Sequence, residues 1–408
     1  MTGCDSRAMN SLHNTAGRDT CTLCGASDLN AFFELPQVPL FCNVLWPTRE
    51  AALQCPRGDI RLGFCGACGF IANLAFEPRR MEYAPAYENS LHCSAHFQKY
   101  AEELATYLVD RHDLRGRDLI EIGCGRGDFL LMLCKLGGNR GVGFDPSFPG
   151  IAEMPAAGLS VRFVREEFSA RHADYPCDFL YSRHMLEHIA APKPFLAEVS
   201  QAIRGRGGAT VFFEVPNVMF TLQDLGIWDI IYEHCSYFCR PSLDRLFTSC
   251  GFQVQALRDS YDGQFLCIEA APLEDHAENR HRDSRKEVEQ VARCVASFRN
   301  SYLNKVGSWR RTLAEMKRDG RRAAVWGAGS KGVTFLNTLK DSAPCDVVVD
   351  INPRKQGMYV PGTGQQVIAP GQLRQSRPEV ILVMNPVYQK EIAGQIAELG
   401  VSAEIQTV

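Results

Sequence analysis

Three groups of residues in this 408-residue chain could do chemistry: paired cysteines, a glycine-rich turn followed by acidic residues, and an adjacent Glu-His set among aromatics. Cys21-Thr22-Leu23-Cys24-Gly25 and Cys65-Gly66-Ala67-Cys68-Gly69 form two C-x-x-C-G knuckles. Two thiolates three positions apart on a tight turn both reach one tetrahedral ion, and the trailing glycine permits the positive φ such a turn needs. The four thiols Cys21, Cys24, Cys65 and Cys68 therefore predict a zinc site. Four protein ligands leave no open position for water or substrate, so the ion would act as a staple for the fold. Redox-active C-x-x-C pairs are the alternative. Cys42 and Cys55 lie between the knuckles without that context and read as bystanders.

Asp118-Leu119-Ile120-Glu121-Ile122-Gly123-Cys124-Gly125-Arg126-Gly127-Asp128 reads as a strand, a glycine-rich turn and a helix start. Gly123, Gly125 and Gly127 would let the backbone pass close to a ligand in the first βα crevice, a weak signal on its own. Three acidic positions sharpen it. Glu121 precedes the first glycine by two residues, where a carboxylate suits an ammonium and a sulfonium and would repel a pyrophosphate. Asp145 closes the next strand, placed to accept both ribose hydroxyls. Glu167 and Phe168 follow the third strand beside Glu166, where an acid and an aromatic can hold and cover an adenine. Each carboxylate alone is commonly a solvated strand end; three at successive strand ends predict a pocket for S-adenosylmethionine (SAM). The stretch Tyr83, Tyr87, Glu88, Asn89 and Ser90 either folds over that cofactor, with Tyr87 in contact, or forms a domain seam.

Two further stretches carry titratable side chains. Ser182-Arg183-His184-Met185-Leu186-Glu187-His188-Ile189 follows the fourth strand, near where the cofactor's methyl should point; His188 there is either a packing residue or a substrate contact. Ile230-Ile231-Tyr232-Glu233-His234-Cys235-Ser236-Tyr237-Phe238 places Glu233 and His234 side by side in an apolar, aromatic setting. That suits a general base with a shifted pKa, or a buried histidine satisfied by backbone.

The elements that must position these residues follow from pattern and composition. The length calls for two or three domains. The 45% hydrophobic and 22% charged content suits a globular chain, and the net charge of -3 gives no reason to expect nucleic acid or an anionic membrane as partner. No apolar run is long enough to span a bilayer. The first twenty residues, with Arg7, His13 and Arg18, lack a signal-peptide core and read as a disordered tail, 1–20. Seventeen cysteines in a large chain without such a signal point to a reducing cytoplasm. Residues 21–82, rich in Cys, Pro and Gly, read as the zinc-binding module. Over 83–273 strand and helix signals alternate (DLIEIG, GVGFD, CDFLYS, ATVFFEV), which predicts an α/β domain with a parallel sheet covered by helices. Over 274–320, Val288, Val291, Val295, Phe298, Tyr302, Val306, Trp309, Leu313 and Met316 recur at steps of three and four. This predicts one long linking helix closed by Gly320. A second Rossmann-like series occupies 321–408.

That last series has its own glycine turn. Gly327-Ala328-Gly329-Ser330-Lys331-Gly332 fits G-x-G-x-x-G, and Asp350 ends the following strand. Read cold this is an NAD fingerprint, so an NAD-binding oxidoreductase is the rival reading. No catalytic pair for hydride transfer accompanies it. Ser330 and Lys331 either hold a substrate phosphate at the helix N-terminus or pack the loop.

The chain resembles the SAM-dependent sugar C-methyltransferases of deoxysugar biosynthesis. The carriers are the two C-x-x-C-G knuckles, EIGCGRGDF, Y-E-H-C-S-Y-F, VWGAGSKGVTFLN and VVDINPRKQGMYVPGT, spread from Cys21 over nearly the whole chain. The resemblance implies a Cys4 zinc domain, a central class I SAM methyltransferase domain and a C-terminal Rossmann-like domain that helps close the substrate cleft. It implies a nucleotide-linked 4-keto sugar as acceptor, His234 as base with Glu233 beside it, and His188 as a sugar contact. This chain departs from the family in having Ile231 where a tyrosine is frequent, with Tyr232 next door. The implied chemistry removes a proton beside a ketone, with Tyr232 or His188 holding the oxyanion, before the carbon takes the methyl group. A SAM-dependent O-, N- or S-methyltransferase is the alternative and would need less basicity.

Overall fold

The computed structural model describes residues 20–81, 88–150, 153–154, 159–204, 209–273, 284–340 and 344–408. All but the last residue of the expected tail, and Tyr83 and Tyr87, lie outside the described residues. Among the described residues the strands form three sheets, of four, eight and five strands.

The four-stranded sheet carries the knuckles. Leu29–Pro39 pairs antiparallel with Arg57–Cys65, which pairs with Ile71–Asn73. The fourth strand is Ser236–Tyr237, supplied from far along the chain by the segment holding Glu233 and His234. A short sequence-local module was expected; the observed sheet is completed by Ser236–Tyr237, which pairs with Ile71 and Ala72 from far along the chain. The knuckles also dock on the neighbouring core, where Cys21, Leu23, Cys65, Cys68 and Phe70 pack with Phe238, Leu243 and Phe247.

The eight-stranded sheet has the spatial order Phe252–Ser260, Phe265–Pro272, Thr210–Pro216, Phe179–Arg183, Asp118–Ile122, Arg140–Phe144, Ser160–Val164 and Glu153–Met154. The middle strands are parallel, and Phe265–Pro272 inserts antiparallel between Thr210–Pro216 and Phe252–Ser260. Leaving aside the short edge strand, the order by sequence is 3-2-1-4-5-7-6 with the seventh reversed, the class I methyltransferase arrangement. The closing hairpin of Phe252–Ser260 and Phe265–Pro272 was not separately foreseen, because its outer strand alternates half-buried and exposed residues. The strand order reverses between Asp118–Ile122 and Phe179–Arg183. Ligands bind at such a switch point because the loops there part to either side of the sheet and leave a crevice.

The five-stranded sheet is all parallel, in the order Gln366–Ile368, Cys345–Val349, Ala323–Trp326, Val380–Val383, Glu404–Thr407. It has a Rossmann-like core with its own switch point beside Trp326. The predicted linking helix is Arg285–Arg318, 34 residues, which at 1.5 Å per residue spans about 50 Å. Its stripe is buried as the spacing required, apart from Trp309, which is half-buried. It joins the four-stranded sheet to the five-stranded one: Phe33 meets Phe298 and Tyr302 edge-on at 5.1 and 4.6 Å, and Trp309 meets Phe335 at 5.6 Å.

Candidate active site

A cavity of about 720 Å³ opens at the carboxyl ends of the central strands and is closed on its far side by the glycine turn of the five-stranded sheet. Both switch points therefore face one space.

On the central side, Glu121 lines the wall, 3% exposed, with Oε2 lacking a hydrogen-bond partner. Burial pushes its carboxyl up to about 8, against the pull of the Arg183 guanidinium. The Gly125 amide donates to Asp145 Oδ2 at 2.8 Å, while the Ser147 amide and hydroxyl donate to Oδ1 at 2.7 and 2.6 Å. Asp145 thus fixes the shape of the turn as well as lining the crevice. Gly123 and Gly125 both have positive φ, and a Cβ at Gly125 would project into open space where a ligand can approach. Gly127 is different: it caps the helix Asp128–Gly137, its open side faces the Phe163 ring, and it does not line the cavity. Glu167 is exposed at the rim. Phe168 is buried beneath it, edge-on to Phe144 at 5.2 Å, and both line the cavity. Tyr87 lies outside the described residues. Its neighbour Glu88 accepts from Asn352 Nδ2 at 3.1 Å and pairs with Arg354, so Glu88 joins the central unit to the five-stranded one.

The floor is built by two segments. Strand Phe179–Arg183 ends at His184, whose φ of +52° turns the chain sharply at the cavity. His184 Nε2 lies 2.8 Å from Glu214 Oε1, a buried carboxylate that Arg183 also grips at 2.8 Å. The one-turn helix Leu186–His188 then presents Glu187 and His188. The Ile227–Asp229 turn and the strand Ser236–Tyr237 hold His234 opposite, its ring 5.1 Å from that of His188. The His188 ring Nδ1 meets the Glu233 carbonyl at 3.0 Å, and the Asp229 backbone holds the His234 ring. Burial pushes His188 down to about 4 and His234 well below the usual histidine range, the latter aided by His188 and Lys331. Both imidazoles are therefore neutral at pH 7 and able to accept a proton.

Glu233 and Tyr232 were expected beside His234 in the chemistry, and the structure turns both away. Glu233 is fully buried, with Oε1 accepting from the backbone amides of Cys42 and Asn43 at 3.0 and 3.4 Å. It ties the floor to the loop of the four-stranded sheet, and burial pushes its carboxyl up to about 7. The Tyr232 hydroxyl accepts from the Glu77 amide at 3.0 Å, and its ring packs on Phe76 at 5.4 Å. Neither lines the cavity. The reason is local: three successive side chains in an irregular segment point in three directions, and only His234 points to the crevice.

The five-stranded unit repeats the device of the central one. The Ala328 amide donates to Asp350 Oδ2 and the Asn352 amide to Oδ1, both at 2.8 Å. Here a buried Lys355 ammonium sits against the turn, donating to the Ala328 carbonyl at 3.3 Å with Asp350 Oδ2 at 3.9 Å. Lys331 pairs with Asp229 across the cavity. Sequence reasoning missed His184, Glu187, Asp229 and Lys355; the strand-end position of His184 was the one signal available for any of them.

The four knuckle sulfurs gather away from this cavity. Cys21 and Cys68 Sγ are 3.7 Å apart and Cys24 and Cys65 Sγ 3.6 Å, with all four within 4.8 Å of one another. Tetrahedral thiolates at about 2.3 Å from zinc would stand about 3.8 Å apart. Gly25 and Gly69, at φ +77° and +79°, make the turns that aim them.

Residues 94–257 match a family model described as a methyltransferase domain, and residues 273–403 match one described as a C-methyltransferase C-terminal domain. The C-methyltransferase NovU of Streptomyces niveus is 26% identical over 398 residues, covering 92% of this chain and 91% of that protein. Magnesium protoporphyrin IX methyltransferase (ChlM) from Synechocystis PCC 6803 with bound SAH is 17% identical, covering 43% of this chain and 83% of that one at a TM-score of 0.33. The 1,6-didemethyltoxoflavin-N1-methyltransferase of Burkholderia thailandensis is 18% identical, covering 48% of this chain and 92% of that one at a TM-score of 0.32. Among the described residues no helix is long and apolar enough to cross a membrane.

Proposed function

We propose that this SAM-dependent C-methyltransferase methylates the carbon beside the ketone of a nucleotide-linked keto sugar, in the cytoplasm, as a step of deoxysugar biosynthesis. The observation that carries this reading is the meeting of two kinds of site in one cavity. Acidic strand ends suited to a sulfonium nucleoside share it with two half-buried histidines, neutral at pH 7 and with rings 5.1 Å apart.

Glu121 would receive the ammonium of SAM, Asp145 its ribose hydroxyls, and Glu167 with Phe168 its adenine. The open side of Gly125 and the orphaned Glu121 oxygen fit such a ligand. SAM, when bound, supplies an electrophilic methyl group. His234 takes the proton from the acceptor carbon; the Asp229 backbone fixes its ring, and Lys331 opposite keeps it neutral beforehand. His188 contacts the sugar. Tyr232 and Glu233 act at one remove, by fixing the segment that carries His234. Gly127 serves helix packing.

On the five-stranded side, the N-terminus of the helix Ser330–Leu339 and the Lys355 ammonium would hold the phosphates of the nucleotide. The four cysteines fit zinc, whose role is structural: thiolate donors, tetrahedral spacing and no open position. The proposed boundaries are 21–82 for the zinc-binding unit, 83–273 for the methyltransferase unit, 274–320 for the linking segment and 321–408 for the Rossmann-like unit.

The test is incubation with isotopically labelled SAM and a panel of nucleotide-linked keto sugars, read by mass. Label should enter at least one of these and no free sugar lacking the ketone. Label entering only hydroxyl, amine or thiol acceptors would overturn the reading.

A further inference from the structure

Glu187 has no part in the chemistry described so far, yet its carboxyl lies beside both histidines. Its residue is 2% exposed, it lines the cavity, and its Oε2 is buried without a hydrogen-bond partner. A carboxyl oxygen of Glu187 and ring nitrogens of His188 and His234 all lie within 4.8 Å of one another. A buried polar atom left unpaired is unfavourable, so one on a residue that lines the cavity beside the base points to a group the acceptor brings. We propose that Glu187 is a catalytic residue that donates its carboxyl proton, as a hydrogen bond, to the acceptor's ketone oxygen. The inference rests on the C-methylation reading above and names the oxyanion partner that Tyr232, facing elsewhere, does not supply.

The electrostatics of the floor agree. Burial, with the Glu214 carboxylate nearby, pushes Glu187 up to about 8. The charged and titratable groups around it are His184, with Nδ1 at 3.9 Å, Glu214 behind His184, and His188 and His234. Both of the latter are neutral, and Glu214 is already matched by Arg183. Nothing beside it therefore favours the anion strongly. A carboxylic acid kept neutral in a dry site can donate to a developing oxyanion, and such a donor acts where charge appears. The step balances within these groups. The proton on the carbon passes to the His234 ring nitrogen, and the C–H electron pair becomes the new carbon–carbon double bond. The carbonyl π pair moves onto oxygen, where the Glu187 O–H holds it without giving up its proton. His234 later returns its proton to solvent.

The experiment compares wild type, Glu187→Gln and Glu187→Met for solvent-deuterium exchange at the acceptor carbon with S-adenosylhomocysteine bound, and for methylation rate from pH 6 to 10. Loss of one such donor costs about 10²–10³-fold in kcat. Glu187→Met should therefore lose about that much kcat in both assays with little change in KM. Glu187→Gln, which keeps a neutral donor, should stay within about tenfold of wild type. Wild-type activity should fall as pH rises through about 8, and that fall should be absent in Glu187→Gln. Equal losses in Gln and Met would show that the carboxylate itself is required and would overturn the proposal, as would a Met variant with full activity. Failure of wild type to exchange or methylate any keto substrate would instead strike the functional reading beneath it.

Discussion

Glu121 and Glu187 show what burial does when the expected partner is a ligand. Each has an unpaired oxygen on the cavity wall, and each is held protonated at neutral pH. For Glu121 the sign follows directly. The free protein carries a proton on this carboxyl below about 8, and an ammonium ligand needs the anion, so binding releases that proton. Affinity for SAM should rise with pH and level off above about 8, falling by up to about tenfold per unit below it. Calorimetry in buffers of different ionisation heat would read the released proton. Glu121→Gln should abolish that release and, by loss of a charge-assisted bond of about 1.5–3 kcal/mol, weaken binding about 10–100-fold. Tyr232→Phe makes the opposite kind of prediction. It should leave kcat within a factor of about two, while removing a hydrogen bond to Glu77 lowers unfolding stability by about 0.5–1.5 kcal/mol, read by denaturant titration. Glu121 and Asp145 were legible in the sequence because strand-end positions have fixed directions. Glu233 and Tyr232 were not, because no period governs side-chain direction in an irregular segment. Glu187 was hidden inside Leu186-Glu187-His188, a pattern that reads as packing until burial and the missing partner are known.

At the scale of elements, the molecule uses one turn twice. In both the eight- and the five-stranded sheet a backbone amide of the glycine loop is gripped by an aspartate some twenty residues on, Gly125 by Asp145 and Ala328 by Asp350. The spacing of a βα unit dictates that distance, which is why both loops could be found from residue order. The elements that were not foreseen arise from pairing across long separations. Ser236–Tyr237 completing the knuckle sheet is the clearest case, since two residues carry no periodicity. That pairing couples the knuckles to the catalytic floor. Cys65→Ser should abolish stoichiometric zinc, measured by elemental mass spectrometry. A loss of about 3 kcal/mol would lower Tm by roughly 6–12 °C. Because His234 lies two residues before that strand, kcat should also fall in the variant, whereas a zinc unit independent of the floor would leave it unchanged.

Across the whole molecule, the cavity exists because the central and five-stranded sheets are held face to face. Lys331 pairs with Asp229, and Glu88 with Arg354 and Asn352. The helix Arg285–Arg318 meanwhile clamps the five-stranded unit to the knuckle sheet. Asp229→Asn should loosen this seam. We expect the acceptor KM to rise by about 3–10-fold with the SAM Kd nearly unchanged, as loss of a partly buried pair of order 1 kcal/mol implies; initial-rate kinetics and calorimetry would check it. The helix stripe was plain in the sequence, but its partners were not, since a stripe states that a face is buried and not what covers it. On the reading proposed above, this space makes a carbon nucleophile beside a ketone and delivers a methyl group to it. The most direct measurement is carbon NMR of the product formed from a nucleotide-linked keto sugar and SAM labelled with ¹³C in its methyl group. The expected spectrum shows a methyl carbon coupled directly to the ring carbon adjacent to the carbonyl. A labelled methyl attached through oxygen, nitrogen or sulfur would contradict it.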